Sequence, residues 1–219
     1  MVEGKKVVSE LLNSKFKTHS IYSTDPEFKT KNKEEVHYIS EKDLIRISSH
    51  KSPNKILGIF EIPAPEAIDY SDWVVVLDAI QDPGNLGTII RICDWFGILH
   101  LVCSPDTVDC YNHKVIQATM GSIARVNIVY TDIARLLEEN KNLAYGTYMN
   151  GKSVYSADLP DKGLLILGNE GKGISEKVGL RIEKENRIGI QQYGKKTTES
   201  LNVATATAIF LSEIRREER

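Results

Sequence analysis

The stretch WVVVLDAIQDPGNLGTIIRICDWFG, Trp73 to Gly97, changes its hydrophobic period at the centre. Trp73 to Leu77 is a near-continuous apolar run, the pattern of a strand buried on both faces. Further on, Leu86, Ile89, Ile90 and Cys93 recur at i, i+3, i+4 and i+7, which marks one face of a helix, and Gly97 supplies its stop. Between the two, DPGN has Pro83 and Gly84 placed for a type II turn. That turn needs no arginine. Yet Arg91 lies off the apolar stripe of the next helix, close to Asn85 in space if the helix starts there.

The same alternation continues downstream. ILHLVC, RVNIVY, NLAYGTYM, GLLILG and NRIGIQ read as strands, with HKVIQATM and TDIARLLEEN as helices between them and Thr131 as the cap of the second. A last helix is expected from about Glu199 to Arg216. Repeated β-α-β units of this kind imply an α/β fold with a mostly parallel sheet covered by helices on both faces. Upstream, Val7, Val8, Leu11 and Leu12 fall at helical spacing, IYS and VHYIS read as short strands, and ILGIFEI as another. Ser40 and Asp43 fit an N-terminal capping pattern before EKDLIRI. PAPEAIDYSD, with two prolines in three residues, is the best linker in the chain. The expected division is a small α/β domain over 1–65, a linker over 66–72 and a larger domain over 73–219.

The 219 residues are 41% hydrophobic and 26% charged, ordinary for a globular protein. No apolar run approaches the ~20 residues of a membrane span, and the first twenty residues lack the apolar core of a secretion signal. Three cysteines, an odd number without CxxC spacing, fit reduced thiols in a cytoplasmic protein. No His/Cys/Asp cluster has the spacing of a metal site, so no metal is expected. The net charge is -2, with residues 1–65 contributing +2 and the remainder -4. A polyanion partner would therefore be held by a local patch, for which Lys5, Lys6, Lys15, Lys17, Lys172, Lys195 and Lys196 are candidates.

Two further stretches carry chemistry-bearing residues. GNEGKGIS, Gly168 to Ser175, comes after the strand GLLILG and has glycines in the order GxxGxG. That order fits neither the dinucleotide fingerprint nor the P-loop. It leaves a Gly-rich loop with one acid, Glu170, beyond a strand end, where ligands of open α/β sheets bind. In ESLNVATATAIF, Ser200 and Asn202 are both good helix caps.

Taken together and in this order, LDAIQDPGNLGTIIRICDWFG, LLILGNEGKGIS and IGIQQYGKKTTESLNVATATAIFL resemble the three motifs of the SpoU/TrmH branch of the SPOUT RNA methyltransferases. The match covers about residues 74–216. Residues 1–65 resemble the small α/β substrate-binding domain often fused in front of this family. The resemblance implies a SPOUT-type parallel sheet closed by a trefoil knot, and S-adenosylmethionine bound near Leu167, Gly168, Ile190, Gln192 and Leu201. Many members carry Ile-Pro where this chain has Ile190-Gln191. It implies methyl transfer to a ribose 2′-hydroxyl of rRNA or tRNA by a homodimer. Asn85, Arg91, Glu170, Ser200 and Asn202 would form the catalytic set, with Arg91 against the RNA phosphate and the developing alkoxide and Asn85 orienting Arg91 or the ribose. The alternatives are a member that only binds RNA, which the intact set argues against, and one that methylates a base.

Overall fold

The computed structural model describes residues 1–30, 35–50, 52–140, 144–194 and 200–216. The chain first builds a four-stranded sheet from β1 (Val2–Glu3), β2 (Thr18–Ser23), β3 (Val36–Tyr38) and β4 (Ile56–Phe60), in the order β1-β4-β2-β3. Its helices are α1 (Lys5–Leu12) and α2 (Glu41–Ile47). Val7, Val8 and Leu11 are the buried face of α1, at the spacing the sequence shows. Ser40 caps α2 by accepting the Asp43 N–H, and its hydroxyl donates to the Asp43 carboxylate.

The second sheet is built from β5 (Val74–Asp78), β6 (His100–Cys103), β7 (Asn127–Tyr130), β8 (Ala144–Ser153), β9 (Leu164–Gly168) and β10 (Arg187–Gly189). All neighbours run parallel, in the order β10-β8-β9-β5-β6-β7. The helices are α3 (Pro83–Trp95), α4 (His113–Thr119), α5 (Ile133–Glu139), α6 (Glu176–Gly179) and α7 (Val203–Ile214). The chain leaves β5 towards β6 and β7, and later returns on the other flank of β5 as β8, β9 and β10. The strand order thus reverses between β5 and β9.

Every residue of β5 is buried, so its side chains must be covered on both faces. They are. Val75, Leu77, Leu101, Leu165 and Leu167 pack in one apolar cluster with Leu86, Ile89 and Ile90 of α3, Val115 of α4, and Phe210 and Leu211 of α7. Val74, Val76, Val102, Leu164 and Ile166 pack in another with Ile133 and Leu136 of α5 and Val178 of α6. Each fully buried aliphatic side chain contributes about 1.5–3 kcal/mol. The first cluster continues without a break into Val2, Val8, Leu11, Ile21 and Ile56 of the four-stranded sheet's own layer. Gly87 lets α3 and α4 touch backbone to backbone, since a Cβ there would lie 2.5 Å from the Ala118 Cβ and 2.7 Å from the Val115 carbonyl oxygen.

Three local expectations change. Pro83 and Gly84 are not the centre of a type II turn. Asp82 is the N-cap of α3 and accepts the Asn85 N–H at 2.7 Å, Pro83 takes the first helical position, and Gly84 has no positive φ. A proline at that position loses no hydrogen bond and arrives with a helical φ, which is why the same dipeptide serves here as a helix start. The cap of α5 is Asp132, which accepts the Arg135 N–H, rather than Thr131. The last helix begins at Val203 behind the cap Asn202, and Ser200 precedes it; Glu199 lies outside the described residues.

Residues 63–72 carry no regular secondary structure. They are nonetheless anchored: Asn127 accepts the Glu66 N–H and donates to the Glu66 carbonyl, both at 2.9 Å, and Arg215 holds Asp72 by two hydrogen bonds. Arg125 links Glu10 of α1 to Asp94 of α3. Among the described residues no helix is long and apolar enough to cross a membrane.

Candidate active site

Ligands of open parallel sheets bind beyond the C-terminal strand ends where the strand order reverses. Here that place lies between the ends of β5 and β9, at Asp78 and Gly168, which pair in register. The chain leaves β5 towards the start of α3 and leaves β9 into the Gly-rich loop of residues 168–175.

The start of α3 and the loop meet through Asn85 and Glu170. The Asn85 Nδ2 donates to the Glu170 Oε1 at 2.8 Å. The start of α7 joins them, because the Asn202 Nδ2 donates to the Asn85 Oδ1, also at 2.8 Å. The Asn202 Oδ1 in turn accepts the Ala204 and Thr205 N–H groups at 3.0 and 3.2 Å. The chemistry of the ends fixes the sense of this chain: helix N–H groups can only donate, and an ionised carboxylate can only accept. Each amide between them is therefore held in one orientation. Two helix N-termini, each a site of partial positive charge, are wired to one carboxylate. Asn85 is half-buried, whereas Glu170 and Asn202 are exposed.

The loop rests on a shaped support. Ala79, directly after β5, is left-handed at φ 59°, a conformation uncommon for a residue with a Cβ. Its N–H is held by the Ser104 hydroxyl and its carbonyl by the Asn169 Nδ2, both at 2.8 Å. The buried Asp78 accepts the Ser175 N–H at 2.7 Å. Inside the loop, Asn169 and Gly173 exchange backbone hydrogen bonds. A Cβ on Gly168 would stand 2.1 Å from the Gly173 carbonyl carbon, so only glycine fits. Sequence pattern alone assigns no place to Asp78, Ala79, Ser104, Asn169 or Ser175. A polar residue closing an apolar strand was the available sign for Asp78; nothing in an alanine announces a left-handed backbone.

The structure does not join the other two catalytic candidates to this network. Arg91 is exposed and makes no hydrogen bond or ion pair among the described residues. Six residues along an α-helix place it about 9 Å further down the axis from Asn85 and on another side. The Asn85 side chain is bonded to Glu170 and Asn202, and among the described residues it makes no bond to Arg91. Ser200 is exposed just ahead of the α7 cap. Of the cofactor candidates, Leu167 is buried and Gly168 half-buried at the β9 end, Ile190 is half-buried just past β10, and Gln192 and Leu201 are exposed.

Of the lysines, Lys15 is paired with Glu66 at 2.5 Å, while Lys195 and Lys196 lie outside the described residues. The three cysteines are free and buried. Burial pushes the Cys110 thiol up to about 12 and raises Cys93 and Cys103 as well. Thiols held protonated in this way pack rather than attack.

A carboxylate tied through Asn85 to the starts of two helices, on a backbone-lined loop at the switch point of a parallel sheet, marks an α/β protein whose ligand site lies at the strand ends. The model of the SpoU rRNA Methylase family matches residues 72–212. A Bacillus subtilis relative, 23S rRNA (guanosine(2553)-2'-O)-methyltransferase RlmP, is 30% identical over 98% of this chain and 88% of its own length. A solved structure from Porphyromonas gingivalis, assigned to the TrmH family of RNA methyltransferases, is 36% identical and superposes with a TM-score of 0.86, over 98% of this chain and 88% of that one. An rRNA methyltransferase from Sinorhizobium meliloti, solved with AdoMet bound, is 29% identical with a TM-score of 0.81, over 100% and 87%. The chain belongs to the SpoU rRNA Methylase family and is an S-adenosylmethionine-dependent RNA methyltransferase.

Proposed function

We propose that the protein methylates a ribose 2′-hydroxyl of ribosomal RNA. The observation that carries this is the Asn85–Glu170–Asn202 network, which draws all three sequence motifs to one place beside the ends of β5 and β9. The relative's name assigns ribose 2′-O chemistry on 23S rRNA to that protein, and its match extends over nearly the whole of this chain.

S-adenosylmethionine, when bound, supplies an electrophilic methyl group on a sulfonium. The residues at hand fit it. Leu167 and Gly168 offer backbone where the loop doubles back closely on the strand end, while Ile190 and the 48%-exposed Leu201 add apolar surface. Backbone donors and acceptors beside apolar faces are what an adenosine needs. Gln192 completes the proposed set. Glu170, held by Asn85, would hold the local hydrogen-bond pattern around the reacting groups, and Ser200 and Asn202 would keep the third motif against it. Arg91, without a partner among the described residues, would meet the RNA phosphate or the oxygen that gains charge as its proton leaves.

The same reading includes a trefoil-knotted domain over 73–219, a homodimer in which a second copy helps complete each site, and a cytoplasmic enzyme. Residues 1–65, joined by 66–72, would choose the RNA. The test is transfer of labelled methyl from S-adenosylmethionine to total RNA from cells lacking the gene, with ribosomal RNA and tRNA then separated and the labelled nucleoside analysed. A 2′-O-methylribose is expected. A methylated base, or label only in tRNA, would replace this reading.

A further inference from the structure

Glu170 sits at the tip of a glycine-rich loop, the kind of backbone that does not hold one shape by itself. Something must hold it, and the structure shows what. The loop leaves β9 at Asn169 and ends at Ser175, and both positions are fastened to the same dipeptide, Asp78-Ala79. Asn169 is the more fully used. Its Nδ2 donates to the Ala79 carbonyl at 2.8 Å, and its Oδ1 accepts the Gly171 and Lys172 N–H groups at 3.0 and 3.1 Å. Its backbone N–H and carbonyl both bond Gly173, at 3.0 and 2.8 Å. One side chain therefore folds the loop and docks it on a neighbouring strand end.

The docking point is itself unusual. The left-handed turn at Ala79 sets its carbonyl against the Asn169 Nδ2, and that backbone conformation is strained for a residue with a Cβ. The Ser104 hydroxyl holds the Ala79 N–H from the β6 side, and this serine is buried against Thr107. Strain maintained by bonds on both sides of one residue, next to a reaction site, is a device for fixing a position. The residue after Asn169 is Glu170, whose carboxylate receives the Asn85 amide.

We propose that Asn169 is a positioning residue, which docks the loop on the left-handed carbonyl of Ala79 so that Glu170 meets Asn85. It touches neither RNA nor methyl donor in this assignment, and it rests on the reading of Glu170 as part of the active site. Asp78 anchors the far end of the loop in the same way through Ser175.

The test compares the full-length wild type with Asn169→Ala, Asn169→Asp, Glu170→Ala and the Asn169→Ala/Glu170→Ala double variant, using labelled methyl transfer to ribosomal RNA. Asn169→Asp keeps the acceptor for Gly171 and Lys172 but sets an oxygen against the Ala79 carbonyl. Both Asn169 variants should lose about 10- to 100-fold in kcat, the scale of a slight misplacement, with KM for RNA changed less than about twofold. The double variant should be no slower than Glu170→Ala alone, because a positioning residue has nothing left to position. A wild-type rate for Asn169→Asp would overturn the docking role. Additive losses in the double variant would overturn action through Glu170. If Glu170→Ala itself transfers as fast as wild type, the active-site reading fails together with this one. A slow Glu170→Ala beside a normal Asn169→Ala refutes the positioning role alone.

Discussion

Asn85 makes two hydrogen bonds of opposite sense, and a primary amide is the side chain that can do so without titrating. An aspartate at this position would face Glu170 with a second negative charge; a serine would be too short to span both partners. Arg91 presents the reverse case. It has no partner among the described residues and lies off the buried stripe of α3, formed by Leu86, Ile89, Ile90 and Cys93. Arg91→Ala should therefore shift folding stability by no more than about 0.5 kcal/mol, the usual range for a surface substitution. If the guanidinium stabilises the attacking oxygen or its phosphate, turnover should fall by about 10²-fold or more. Affinity for S-adenosylmethionine, measured by calorimetry, should stay within about twofold. Normal transfer by a folded Arg91→Ala protein would leave this residue an ordinary surface cation. Asn85, Glu170 and Asn202 were each readable as ordinary turn, loop or cap residues, and only the resemblance of the three stretches, in order, to the SpoU/TrmH motifs singled them out as a set. Sequence pattern missed Asn169 and Ala79, whose roles come from a backbone shape that composition does not encode.

The strands were legible as apolar runs because a parallel sheet covered on both faces buries Val74 to Leu77 of β5 and Leu164 to Leu167 of β9, leaving Asp78 as the one polar residue, at the strand end. Element starts were less so. Pro-Gly after an aspartate fits both a turn and a capped helix, and the packing of the next residues against the sheet decides between them. The α3–α4 crossing makes a sharper test of packing. Gly87→Ala gains about 1 kcal/mol of helix propensity. Its Cβ would meet the Ala118 Cβ and the Val115 carbonyl oxygen well inside van der Waals contact, and backbone cannot step aside cheaply. Overpacking of this kind costs about 1–3 kcal/mol, so the variant should melt lower, by a few degrees. At the other end of the same layer, Arg215 ties the end of α7 to the Phe96 carbonyl and to Asp72 ahead of β5. The hydrogen bond from Arg215 holds the Asp72 carboxyl below the ordinary carboxylate range. A depressed acid stabilises the fold above the unfolded-state value near 3.9, and that contribution is lost as pH falls through the folded-state value. Both groups are partly exposed, so the pair contributes at most about 1 kcal/mol. Arg215→Ala should thus lower the melting temperature at pH 7. The gap to wild type should narrow below about pH 4, leaving only the loss of the Phe96 contact. A gap that stays constant from pH 7 to 3 would show that the ion pair contributes nothing.

Across the whole molecule, one apolar cluster runs from the four-stranded sheet through the larger one, and Arg125 binds Glu10 and Asp94 across the same boundary. Cutting the chain near residue 66 would expose that shared core. The role of residues 1–65 is therefore better tested by charge than by truncation. This part carries a net +2 while the remainder carries -4, so an RNA that needs phosphate neutralisation should be drawn to its cations. Lys5 and Lys6 at the start of α1, and Lys17 ahead of β2, are exposed and form no ion pair among the described residues. Each phosphate contact steepens the fall of log K with log salt by about one. Lys5→Glu, Lys6→Glu and Lys17→Glu, introduced singly, should weaken binding of ribosomal RNA most strongly at low salt and flatten that slope by about one wherever the lysine touches a phosphate. Binding of S-adenosylmethionine should not change, since the proposed cofactor residues all lie at or beyond the end of β9. RNA titrations at several salt concentrations give both numbers. A slope unchanged in all three variants would remove these lysines from the RNA surface and move the search for it to the cations around the strand ends, Arg91 and Lys172 among them.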